Sequence, residues 1–283
     1  MAVKQRIVEI VRNVAPPAAL SIYRRFSGKG GFYGNYATWE EASKLCSGYD
    51  SDIIVNKVKE ATLKVRKGEA AYEQDSVLFE QIQYSWPLLA GLLWVASRNG
   101  NRLNVIDFGG SLGTIYYQNR KFIRHLDVLR WNIVEQKKFV ECGRQSFENE
   151  HLRFYFDMDE CILEQHPDAI LFSGVIQYLE KPYEMLEEAL RKGFRQIIFD
   201  RTPFLERGDE RMTIQKVPAE IYEASYPAWF FNMEKFRDFF SADYEMIAEF
   251  DTVESFNLGE IHGSRGKGFI FEKKGPAARA GKL

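Results

Sequence analysis

The chain has 283 residues, of which 45% are hydrophobic, 28% charged and 14% aromatic, with a formal net charge of -2. That length buries one sizeable core with material left for a cap, and the composition is that of a soluble globular protein. The near-neutral charge excludes a molecule-wide field for nucleic acid. Three cysteines without paired spacing, Cys46, Cys142 and Cys161, argue against a structural zinc and for a reducing compartment.

Residues 1–30 carry Lys4, Arg6, Arg12, Arg24, Arg25 and Lys29 against the single acid Glu9. Ile7, Ile10, Val11 and Val14 fall at helical spacing, and Pro16-Pro17 stops that helix. One reading is an amphipathic helix docked on the protein; the other is a weak anchor on an anionic membrane surface. No secretory signal is evident, and the longest apolar run, Trp86 to Ala96, is too short to span a bilayer. The expected location is the cytoplasm, with peripheral contact at the inner face of the membrane through the basic N-terminus.

Gly28 to Gly34 reads as a flexible joint, and Trp39 to Leu45 and Asp52 to Lys67 as helices. Gly68 breaks the pattern. Tyr72 to Arg98 reads as two helices meeting near Pro87. No strand pattern precedes residue 103, so residues 1–70 are expected to form a helical extension or cap. Strand-like runs then alternate with helical ones: Leu103 to Phe108, Leu129 to Val134, Leu152 to Phe156, Ala169 to Phe172 and Gln196 to Phe199 are the strands. Leu112 to Leu126, Lys137 to Phe147 and Tyr183 to Arg191 are the helices. The alternation predicts βαβ units and a parallel sheet. Tyr244 to Phe250 and Gly268 to Glu272, joined by a polar glycine-rich link, predict a closing antiparallel hairpin. The core is expected over 71–274, and a disordered basic tail over 275–283. The late aromatics suit a ring-lined site or a plain core.

The glycine turn Val105-Ile-Asp-Phe-Gly-Gly-Ser-Leu-Gly113 between the first strand and its helix fits two motifs. Gly109-x-Ser111-x-Gly113 spells a nucleophile elbow. Ser111, Asp200 and His262 follow in the chain order of an α/β serine hydrolase. Against that reading, the turn follows the first strand instead of a later one, and no His-Gly-Gly loop lies upstream. Asp107-x-Gly109-x-x-x-Gly113 also spells a cofactor loop. Ligands of open α/β sheets bind beyond the carboxyl ends of the strands, where a carboxylate accepts both hydroxyls of a ribose. Glu135 ends the second strand, Asp157 and Met158 follow the third, and Ser173-Gly174-Val175 follow the fourth. Any one of these is an ordinary helix cap; in series they favour a site. A nicotinamide fingerprint fits less well, since Ser111 and Thr114 stand where it needs glycines.

This series resembles the Rossmann-like S-adenosylmethionine-dependent methyltransferases over roughly residues 70–273. Asp107 to Gly113 is similar to their first motif, Glu135 to their ribose-binding acid, and Pro167 to Pro182 to their fourth-strand motif, with Tyr178 where a histidine is common. Five segments are similar to a bacterial methyltransferase family tied to surface-polysaccharide gene clusters: Gly68 to Glu73, Gln83 to Pro87, Leu103 to Gly113, Asp200 to Phe204 and Ala224 to Phe230. Ser111 departs from the usual motif, where glycine stands, and Gly110 adds one beside it.

The resemblance implies a Rossmann-like, seven-stranded, mostly parallel sheet with an antiparallel last strand, and S-adenosylmethionine as cofactor with S-adenosylhomocysteine as product. By the same resemblance Asp107, Gly109, Gly110, Ser111 and Gly113 hold the methionyl part, Glu135 the ribose, Asp157 and Met158 the adenine, and Ser173, Gly174 and Val175 the pocket floor. Tyr72, expected on a helix, is a candidate for the cofactor carboxylate. The acceptor is expected to be a small molecule or glycan, with no nucleic acid and no metal, methylated on oxygen. Gln177, Tyr178, Thr202, Tyr222, Tyr226 and Trp229 are the candidates to hold it, and Asp200, Arg201 and the base His262 to act on it. Two rival readings are the serine hydrolase and a cofactor-binding protein without catalysis that serves as an interaction module.

Overall fold

The computed structural model describes residues 31–48, 51–218, 221, 224–252, 256, 258 and 264–275. Five parallel strands make its centre. β4 (Arg102–Phe108), β5 (Val128–Val134), β6 (Leu152–Tyr155) and β7 (Ala169–Ser173) are short and β-branched or aromatic; β8 (Gln196–Leu205) is twice as long as β7. The pairing runs β6-β5-β4-β7-β8. On the far edge of β8 lies β12 (Ser264–Lys273), antiparallel, followed by β11 (Tyr244–Asp251). These seven strands form the expected mostly parallel sheet with an antiparallel last strand.

Helices cover both faces because the parallel strands are apolar on both. On one face α2 (Ser51–Lys67), α3 (Trp86–Arg98), α4 (Thr114–Ile123) and α5 (Lys137–Ser146) bury Val58, Leu92, Ile115 and Val140 against Val105, Trp131 and Ile133. On the other, α6 (Met158–Gln165), α7 (Pro182–Lys192) and α8 (Met233–Phe240) bury Cys161, Leu186 and Phe236 against Ile170, Phe172 and Phe199.

The surplus length of β8 carries a second layer. Past the end of β7, Phe204 and Leu205 pair with β10 (Ser225–Asn232). β10 pairs antiparallel with β9 (Arg211–Lys216), and β9 with β1 (Gly31–Tyr36). With α1 (Trp39–Lys44) these strands enclose small cores of their own, around Phe32, Ala228 and Phe230 and around Ala42, Met212 and Ile214. They make a lid over the carboxyl ends of the central strands.

Three expectations change here. Residues 31–36 are a strand of the lid, not a joint. The stretch after β8, for which no strand was expected, is the β9–β10 pair. Tyr72 to Phe79 is not helical: β2 (Tyr72–Gln74) and β3 (Val77–Phe79) form a hairpin, and α3 begins at Trp86 with Pro87 in its first turn. A proline there initiates a helix, whereas mid-helix it would kink one. α1 and α2 lie where helices were expected. The basic segment 1–30 and the tail 276–283 lie outside the described residues.

Candidate functional site

A cleft of about 660 Å³ opens at the carboxyl ends of β4, β5 and β7, beneath the lid, within the usual size of a small-molecule site. The glycine turn forms its floor. Gly109 N–H donates to the Val134 carbonyl at 2.9 Å, which staples the turn to the end of β5 beside Glu135. Gly109, Ser111 and Gly113 all have positive φ, at 69°, 55° and 100°. Gly110 is required for a different reason: a Cβ there would lie 2.5 Å from the Asp107 carboxylate. Ser111 therefore occupies a left-handed position, a strain that side chains rarely accept outside functional turns.

Asp107, Gly109, Gly110, Ser111, Glu135, Asp157, Met158, Ser173, Gly174, Val175, Tyr178, Arg201 and Tyr226 all line the cleft. Gly113 lies behind it as the left-handed N-cap of α4. Asp157 is also the N-cap of α6, accepting from Glu160 N–H at 2.8 Å, so the helix-cap reading and a place in the cleft hold together.

Carboxylates dominate the electrostatics. Asp107 is buried, accepts from Trp131 Nε1 at 3.0 Å, and is pushed up to about 7 chiefly by loss of water. Glu135 is partly exposed at the cleft wall. It accepts from Gln136 N–H at 2.6 Å and from the Ser111 backbone, and burial of its carboxylate pushes it to about 7 as well. A third acid, Glu73 on β2, accepts from Thr114 Oγ1 and from Ser76 N–H at 3.2 Å, and burial raises it to about 7. Arg201 is the one cation lining the cleft among the described residues. It is already engaged: Nε donates to Ser173 Oγ and a terminal nitrogen to the Ser173 carbonyl, each at 3.2 Å. Five carboxylate residues, Asp75, Asp107, Glu135, Asp157 and Glu188, line the same cleft. A cluster this short of positive charge suits a cationic ligand.

Asp200 sits behind this wall. It is 2% exposed, accepts from Ser173 Oγ at 3.2 Å, and with Arg201, Tyr72, Gln74, Gln83 and Gln118 lines a small polar side cavity of about 30 Å³. Tyr72, on a strand instead of a helix, donates to Gln74 Oε1 at 3.0 Å and packs on Phe79; it meets the side cavity only.

The acceptor candidates divide. Tyr178 and Tyr226 meet edge-to-face at 5.1 Å on the cleft wall, with Tyr178 OH donating to Gln215 at 2.6 Å. Trp229 donates from its ring nitrogen to the Leu179 carbonyl and packs in the lid core. Thr202 is buried and bonds to the Asp200 carbonyl; Gln177 is buried and donates to the Arg201 carbonyl. Those three brace the site and do not line the cleft. Tyr222 and His262 lie outside the described residues, and no described histidine lines the cleft. Ser111 and Asp200 line different cavities, so the described residues assemble no hydrolase pair.

Trp39, Gln74 and Asp75 also line the cleft and were missed from sequence. The hairpin tip that presents Gln74 and Asp75 turns through Asp75 and Ser76 at φ 50° and 67°. Asp-Ser between two short β-rich runs was the available signal, and the helical reading hid it.

No protein-family model matches the chain, and no curated protein matches it either. Among solved structures, the chain is similar to the N-terminal domain of EvdMO1 determined in the presence of SAH and D-fucose, with 12% identity over 75% of this chain and 96% of that domain, TM-score 0.47. It is also similar to an S-adenosylmethionine-dependent methyltransferase from Clostridium acetobutylicum, with 10% identity over 78% of this chain and 99% of the other, TM-score 0.44. A third is the magnesium protoporphyrin IX methyltransferase of Synechocystis with bound SAH, with 13% identity over 66% and 80% of the two chains, TM-score 0.42.

Proposed function

We propose that the protein is an S-adenosylmethionine-dependent methyltransferase that methylates a hydroxyl of a small sugar or glycan intermediate, of the kind met in surface-polysaccharide synthesis. The observation that carries this reading is the carboxylate-rich, cation-poor cleft built on the glycine turn, with Glu135 at the end of the neighbouring strand. The cofactor has a sulfonium and an ammonium against one carboxylate, so it supplies the positive charge this cleft lacks.

The residues present fit it. A Cβ at Gly109 would collide with the Val175 side chain and one at Gly110 with the Asp107 carboxylate, so glycine lets these two cleft-lining residues close on the turn. Asp107 would hold the methionyl ammonium, Glu135 would accept from the ribose hydroxyls, and Phe156, Asp157 and Met158 would take the adenine. Bound there, the cofactor supplies an electrophilic methyl group for in-line displacement.

The rest is done by the chain itself. The lid excludes water and aligns the acceptor against Tyr178 and Tyr226. Ser173, a residue of the cleft lining, receives the proton of the acceptor hydroxyl at its Oγ and passes its own to Asp200, to which it already donates. Arg201 fixes Ser173 by its two hydrogen bonds. Calorimetric titration with S-adenosylhomocysteine tests the cofactor half, with tight binding expected. Absence of binding together with covalent labelling of Ser111 by a fluorophosphonate would overturn it in favour of a hydrolase. Turnover against sugar acceptors tests the second half, and binding without any turnover would leave a non-catalytic binding protein.

A further inference from the structure

β8 breaks its own alternation at the cleft. Phe199 and Phe204 stand an odd number of positions apart, which in an unbroken strand puts them on opposite faces. Both are nevertheless buried in the same core, each edge-on to Phe236. One extra residue lies between them. Lys267 pairs with Thr202 and Phe269 with Phe199, so Asp200 and Arg201 together stand opposite Gly268. This is a β-bulge, and Arg201 holds a left-handed φ of 51° within it. Strain of that kind gathers at functional positions. The residue opposite must be bare, since a Cβ at Gly268 would lie 2.6 Å from the Phe199 carbonyl. Two consecutive side chains are thereby turned to one side. Asp200 and Arg201 both line the side cavity, and both end on Ser173, which pairs with Asp200 from β7.

The bonds at Ser173 Oγ have a fixed sense. A hydroxyl has one proton and two lone pairs, and a guanidinium can only donate. Arg201 Nε fills one lone pair at 3.2 Å, while Nη2 grips the Ser173 carbonyl at the same distance. The guanidinium lies across Gly174, where a Cβ would stand 3.2–3.3 Å from it. The Ser173 proton is committed to Asp200 Oδ2, also at 3.2 Å. What remains at this residue of the cleft lining is one lone pair. We infer, resting on the methyl transfer proposed above, that Arg201 is a positioning residue: it sets the direction of the Ser173 hydroxyl, so that the site takes an acceptor that brings a proton, a hydroxyl, and refuses one that brings none, a carboxylate. The proton count closes. The acceptor oxygen gives its proton to Ser173 Oγ, Ser173 gives its own to Asp200, and Asp200 ends as the neutral acid. A carboxylate at the same place has no proton to give and meets a lone pair with a lone pair.

Arg201→Lys keeps the charge and loses the planar fork. In steady-state assays on sugar acceptors its kcat falls at least about tenfold. Its melting temperature and its affinity for S-adenosylhomocysteine by calorimetry stay at the native values. In a Ser173→Ala background the same change lowers kcat no further, because the group through which Arg201 acts is gone. Gly174→Ala, which crowds the guanidinium with Arg201 in place, lowers kcat as Arg201→Lys does. Mass spectrometry of the products from glycoses and their uronic acids finds methyl ethers and no methyl esters. Native kcat in Arg201→Lys or Gly174→Ala, an equal further loss in the Ser173→Ala background, or a methyl ester would each overturn the inference and leave the methyltransferase reading standing. No S-adenosylhomocysteine binding and no turnover by the native chain would overturn that reading, and this inference with it.

Discussion

At the residue scale the account turns on carboxylates held without enough positive charge. Asp107 is raised from 3.8 and Glu73 and Glu135 from 4.5, each to about 7, with desolvation the main cause. A carboxylate raised in the folded state favours folding when protonated. That stabilisation is complete below about pH 4 and is lost as pH rises to about 7. The free protein should therefore melt at lower temperature at pH 7.5 than at pH 5.5 through these groups. Asp107→Asn keeps an acceptor for Trp131 and removes the buried charge. Thermal melts at pH 7.5 should show it several degrees more stable than the native chain, with cofactor affinity lost. A destabilised variant would mean that the charge is already compensated in the free protein. Ligand binding has the opposite sign, because the ionised carboxylates are the ones that bind. Affinity for S-adenosylhomocysteine should rise several-fold from pH 6 to pH 8.

At the element scale, what was legible in sequence is what short-range pattern specifies. β4 to β8, the helices α4, α5 and α7 and the closing hairpin follow from buried apolar runs alternating with amphipathic ones, whereas the short helices α6 and α8 were not read from sequence. The turn residues Asp107 to Ser111, Glu135 and Ser173 to Val175 were placed by their positions at strand ends. The lid was not legible as a whole, because β1 pairs with β9 across some 180 residues and β10 joins the central sheet only through the last two residues of β8, although β9 and β10 themselves form a local antiparallel pair. Nor was the role of the late rings: Phe230, Phe231, Phe236 and Phe240 are buried in core, and Tyr226 alone of the stretch 224–240 lines the cleft. Tyr72 was misassigned because apolar spacing over eight residues cannot separate a hairpin from a helical turn. Two predictions belong here. Tyr226→Ala removes a ring from the lid wall, so steady-state assays over hydroxyl-bearing sugars should show a raised KM while cofactor affinity stays constant. Gly268→Ala would place a Cβ 2.6 Å from the Phe199 carbonyl on β8 and closer still to the Phe250 ring. Denaturant unfolding should show a loss of about 1–3 kcal/mol, the usual cost of overpacking.

At the scale of the whole molecule, one long strand joins two functions. The lower half of β8 completes the parallel sheet whose strand ends hold the cleft. Its upper half carries the lid that covers it, and Asp200 and Arg201 stand at the junction. The described residues include no helix long and apolar enough to cross a membrane. The central claim is that the cleft at Glu135 binds S-adenosylmethionine and its product. Calorimetric titration of the native chain and of Glu135→Gln with S-adenosylhomocysteine tests it most directly. One-to-one binding by the native chain, weakened at least about tenfold in a variant that melts normally, is the predicted result. No binding by the native chain, or equal affinity in the variant, would contradict it.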